Sequence, residues 1–235
     1  MDLLSLDRNV SHDAPIVPEH AGEIGTTAHQ GVVDEICNLN WRDLSADELT
    51  NVAWAYYFFS KQFCQNVGIA RVLFPDDQRL EELDAGERNT DNLSPYPGVV
   101  DSGEKADHDE FMRRTLMLSP IEESRRRRLE VLGSAYFDTV YAIDAVTRAK
   151  SLATYEDGGL EAVFRSVLQA QHWDTALLKA FKHFLVGHVA LDSNPETGHG
   201  ALCRHIVPTR DVVQLWAAFR DILIAAAPSL KAKKS

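Results

Sequence analysis

Apolar residues along this chain recur at helical spacing, and no stretch shows the period of two that a half-buried strand requires. The clearest run is ADELTNVAWAYYFFSKQFCQNVGIARVLF, opened by Ser45 with Glu48 three positions on and stopped before Pro75. Its aromatic residues Trp54, Tyr56, Tyr57, Phe58 and Phe59 point in every direction, so the helix is expected to be core nearly all round. Residues 86–103, GERNTDNLSPYPGVVDSG, read as a connecting loop of unusual length. A helix capped by Ser102 should follow, with Glu104, His108, Phe111, Thr115 and Leu118 on its inward stripe. Ser119-Pro120 with Glu122 opens another helix, which is expected to run to about Glu156 and to stop at Gly158-Gly159. Ala142, Ala145, Ala149 and Ala153 would give it a shallow face, with Glu156 at its end.

Further helices are expected over LEAVFRSVLQAQ, over a segment capped by Asp174, and over RDVVQLWAAFRDILIAAA, capped by Thr209 and ended by Pro228. The pattern therefore predicts an all-α bundle of seven or eight helices, with no internal repeat. The bundle should occupy residues 29–230 as a single domain, between a loose arm at 1–28 and a basic tail at 231–235.

Composition narrows the setting. A hydrophobic content of 45% supports a sizeable core in 235 residues. The formal charge of −11 argues against a nucleic-acid or anionic-membrane surface. No apolar run approaches a membrane span and the N-terminus has no secretory pattern, so the cytoplasm is the expected location. Three widely spaced cysteines, Cys37, Cys64 and Cys203, suggest neither a disulfide framework nor a thiolate metal site.

The candidate chemistry lies in polar residues on apolar faces. In FKHFLVGHVALDSNPETGH, His188 and Asp192 stand four apart on the face that carries Phe181, Phe184 and Leu185. Asn194-Pro195 and Gly198 break that helix, and His199 follows the break. Together with Glu104, His108 and Glu156 this makes three carboxylates and three imidazoles aimed inward from separate helices. A buried unpaired carboxylate costs several kcal/mol and persists only when paired or metal-bound. Carboxylate and imidazole ligands without thiolate suit iron or manganese, and six of them are enough for two ions. Arg125 to Arg128 read as a solvated face.

These residues carry a resemblance. From about Asn92 to His205 the chain resembles the haem-oxygenase-like diiron oxidases, through the carboxylate–histidine helix, the segment SLATYEDGGLEAVF and FLVGHVALDSNPETGHG. The resemblance implies a helical bundle that binds two iron ions and uses O2 as co-substrate with an external electron donor. It implies oxidation of a small molecule by amine N-oxygenation, desaturation or oxidative C–C cleavage. The metal ligands would be Glu104, His108, Glu156, His188, Asp192 and His199, with Glu156 bridging. Asp101 is the alternative first carboxylate, and Glu196 the alternative to His199. The aromatic helix and the loop around Tyr96 would line the pocket; Arg113 and Arg114 read as surface residues, with pairing to a substrate carboxylate as the alternative. Bundles of this kind commonly pair as homodimers. The rival readings are a metal-free enzyme on the same fold, thiaminase II-like or quinone-cofactor-synthase-like, and a non-catalytic helical interaction protein.

Overall fold

The helix over Ala46–Leu73 (α2) is the post round which the others pack. Ser45 caps it as expected, its hydroxyl accepting from the Glu48 amide at 3.2 Å, and the helix ends just before Pro75. The computed structural model describes residues 21–88, 92–192, 196 and 198–231, with side chains given from Ala28 onward and not for Asp192. Most of the expected N-terminal arm and all but the first residue of the tail therefore lie outside the described residues. The remaining helices are α1 (Ala21–Cys37), α3 (Gln78–Glu87), α4 (His108–Met117), α5 (Glu123–Tyr141), α6 (Ala145–Lys150) and α7 (Leu152–Thr154). A wide turn, Tyr155–Gly159, leads into α8 (Leu160–Val167), α9 (Ala176–Asp192), α10 (His199–Cys203) and α11 (Val212–Ala226).

No strand occurs among the described residues, and the architecture is all-α. Tyr56 explains why α2 is central: its ring meets Phe164 of α8, Phe181 and Phe184 of α9 and Phe219 of α11. Phe59 stacks on Phe219 at 4.2 Å between centroids. Such pairs add about 0.5–1.5 kcal/mol each beyond the area they bury, and they fix how α2 and α11 approach.

The helices are shorter and more numerous than the apolar pattern predicts. Nine helices of six residues or more occur among the described residues, because one long segment is broken and α3 forms where the pattern predicts no separate helix. The segment expected to run to Glu156 breaks after Tyr141, where Asp144 turns its carboxylate onto the Thr147 amide at 2.9 Å and starts α6. Aspartate stabilises a helix start better than a helix interior, so capping overrides continuity here. Ala142 and Ala145 are exposed in consequence, and the expected shallow face does not form.

The second correction concerns the start of α4. Gly103 has a φ of +79°, a left-handed conformation that ends any helix across it, and Glu104 folds back to accept the Asp101 amide at 3.0 Å. The helix therefore begins at His108 after Asp107, and Ser102 is not its cap. Smaller shifts occur elsewhere: Thr175, not Asp174, accepts the Leu178 amide, and Thr209 bonds Thr147 while Asp211 precedes α11.

Candidate metal centre

Five ionisable side chains from five elements meet beside α2. Glu87 is the last residue of α3, His108 the first of α4, and Glu156 the second of the wide turn. His188 lies near the end of α9 and His199 begins α10. All five are buried. Glu87 joins the set: its Oε2 lies against His108 Nδ1, and its Oε1 is 3.1 Å from His199 Nδ1. The same nitrogen stands 3.4 Å from Glu156 Oε2. The His108 and His188 rings are 4.4 Å apart between centroids.

Local structure explains each placement. Gly158, with a φ of +91°, and the non-helical Asp157 interrupt the helix just after Glu156, and Leu160 donates back to the Tyr155 carbonyl. The wide turn that results buries Glu156 while Asp157 stays outside, paired with Arg204 at 2.9 Å. Space matters on the other side: a side chain at Gly86 would meet His199 Nε2 at 3.2 Å, so a Cβ there would press on that ring and displace it by a few tenths of an ångström.

The electrostatics are those of a site that holds protons where a cation would fit. Burial alone would raise the Glu87 carboxyl, but His108 and His199 beside it hold it well below the usual carboxylate range. Burial pushes Glu156 upward, and His199 only partly opposes this. Burial would lower His199, yet its bonds to Glu156 and Glu87 push it up to about 11. His188 moves the other way: burial and the neighbouring His108 push it down to about 3. It is thus a neutral imidazole, and its Nδ1–H donates to the Phe184 carbonyl at 2.8 Å, so Nε2 carries the lone pair. An imidazole whose second nitrogen donates to a backbone carbonyl is the usual arrangement of a metal-ligating histidine.

Tyr56, Phe59 and Phe63 of α2 wall a cavity of about 20 Å³ against Glu87, His108, Glu156 and His188. That volume suits one water or ion. A much larger groove, about 580 Å³, lies on the opposite face of α2 under Trp54, Tyr57 and Phe58, away from the cluster.

Four of the six expected ligands, His108, Glu156, His188 and His199, are brought together. Glu87, which the sequence reading does not include, stands in the group with them. Glu104 is bound to Arg114 at 2.7 Å and to the Asp101 amide, at a partly exposed turn. Asp101 and Glu196 are exposed, and the Asp192 side chain lies outside the described residues. Arg113 is taken by Glu110, and Arg114 by Glu104, Glu110 and the Val99 carbonyl. Tyr96 packs on His183 and Phe111 instead of the cavity. The Cys64 and Cys203 thiols are pushed far up by burial and stay protonated.

Glu87 had a readable signal. Leu80, Leu83 and Glu87 are the buried residues of α3, at the three-then-four spacing of an inward stripe. Its neighbours are so polar that the stripe is two leucines and an acid, and the stretch from residue 86 reads as loop instead. No family model, curated protein or solved structure matches this chain.

Proposed function

We propose that this protein is a non-haem diiron oxidase or oxygenase with a haem-oxygenase-like arrangement of helices. The observation that carries the reading is the convergence of Glu87, His108, Glu156 and His188 on one buried, aromatic-walled pocket, with buried His199 beside both carboxylates. Glu87, Glu156 and His199 offer ligand atoms all within 4.8 Å of one another. The donor set fits iron: two carboxylates, three imidazoles and no thiolate. One detail favours a cation over a merely structural ion pair: the His188 proton is committed to Phe184, which leaves Nε2 for a ligand.

In this reading Glu87 and Glu156 supply the negative charge, and His108, His188 and His199 the neutral nitrogen ligands. The bound iron supplies activation of O2 toward a small-molecule substrate. The chain's own residues do the rest. Tyr56, Phe59 and Phe63 keep bulk water from the site, which strengthens every charge interaction inside it. The Phe184 carbonyl fixes the His188 tautomer, and His199, whose Nδ1 faces both carboxylates, would have to give up its extra proton before serving as a ligand. The nucleophilic-cysteine alternative is disfavoured, because burial holds both Cys64 and Cys203 as thiols.

The test is anaerobic Fe(II) loading followed by iron analysis of the desalted protein. About two irons per chain in the wild type, lost in a folded His188→Ala variant, supports the reading. A folded wild type that retains no iron, or a His188→Ala variant that retains as much, overturns it.

A further inference from the structure

A second, outer cavity shares a wall with the pocket. It measures about 30 Å³ and is lined by Cys64, Val67, Asp84, Glu87, Arg88 and Asp107. Glu87 is the only residue that lines both this cavity and the inner one among their described lining residues. Its side chain is 5% exposed, and the same carboxylate meets His108 and His199 on the inner side. On the solvent side, Arg88 Nε binds Asp84 at 3.1 Å and Arg88 Nη1 approaches Asp107 at 3.9 Å. Arg88 and Asp107 are 60% and 46% exposed, so the outer pair is wet while Glu87 behind it is dry.

We infer that the outer cavity is the way in for the divalent cation, and that Arg88 is its displaceable plug. This rests on the metal-centre reading above. The guanidinium sits where two carboxylates, Asp84 and Asp107, would otherwise hold an arriving cation for transfer to Glu87. Exposed ion pairs of this kind are weak, so the plug opens readily and closes again once the cation has moved inward.

The experiment is stopped-flow mixing of metal-free protein with Co(II), read by the visible absorbance of the bound ion, with the final stoichiometry measured after desalting. Arg88→Ala should load about tenfold faster and the double variant Asp84→Asn/Asp107→Asn about tenfold slower, as expected for removal of local repulsion or attraction. Both should reach the wild-type metal content. All three substituted groups are on the solvent side, and circular dichroism checks that each variant is folded. Loading rates within about twofold of wild type in both variants, at full final content, overturn the inference while leaving the metal centre intact. No uptake by the wild type at any time overturns the centre, and the inference with it.

Discussion

Two carboxylates on either side of the same loop have opposite fates. Glu104 sits at a partly exposed turn and is held by an arginine and a backbone amide. Glu87 sits in the dry interior and is held by two histidines. The arginine keeps its charge at any physiological pH, so the first pair is permanent and does nothing further. A histidine can give up its proton and present a lone pair, so the second pair can be exchanged for a cation. The difference teaches that the partner, as much as the carboxylate, decides whether an inward acid is structural or available for chemistry.

The largest effect that sharpens this contrast is expected from Glu87→Gln. Removing one member of a buried charge network typically costs about 3 kcal/mol, and the variant should also lose its iron. Urea unfolding of the metal-free protein and iron analysis together check this; an unchanged iron content would put Glu87 on the same footing as Glu104.

Next comes pH. His188 titrates near 6.5 when unfolded and at about 3 in the fold. Its contribution to stability is therefore fully present above pH 6.5 and is lost as pH falls, at ~1.4 kcal/mol per pH unit. His199, raised to about 11, contributes fully below pH 6.5 and loses that contribution as pH rises toward 11. Glu156, shifted upward by burial, gains stability as pH falls below its raised value and so opposes His188 in the acid range. The quantity to read is the difference between wild type and His188→Asn, both metal-free, between pH 6.5 and 4.5. That difference should shrink on acidification; a constant difference would mean that His188 is not buried neutral.

A smaller effect is expected from Gly86→Ala. The new methyl would crowd His199 Nε2, while the helix gains about 1 kcal/mol of propensity. The unfolding midpoint should barely move, and iron affinity should fall about tenfold, as for other changes that misplace a ligand from behind. The smallest effect belongs to Glu104→Gln, for which iron content and thermal midpoint should both match wild type. Loss of iron there would return Glu104 to the site.

What was legible in the chain follows the same division. The Ser45 cap, the aromatic post and the inward His188 come from periodicity and capping, which are local, and these survive in the structure. The Glu156 position was legible as an inward acid, although the helix leading to it was expected to be continuous. Glu87 was hidden because α3 is polar and short, and its burial comes from α2, α4 and α10 closing over it. Glu104 looked inward because a helix was extended through Gly103, whose backbone conformation forbids it. Long-range closure and single-residue backbone geometry are the two things that a periodic pattern does not carry.

The wide turn at Tyr155–Gly159 makes the centre sensitive to the count of residues as well as to their identity. Deleting one residue from it would let α7 and α8 join in a single phase, and each residue of an α-helix turns the chain by about 100°. Glu156 would swing toward the flank, or everything after it would rotate with respect to α2. A one-residue deletion at Asp157 or Gly158 should therefore damage the protein more than most substitutions at either position, although neither side chain is itself buried.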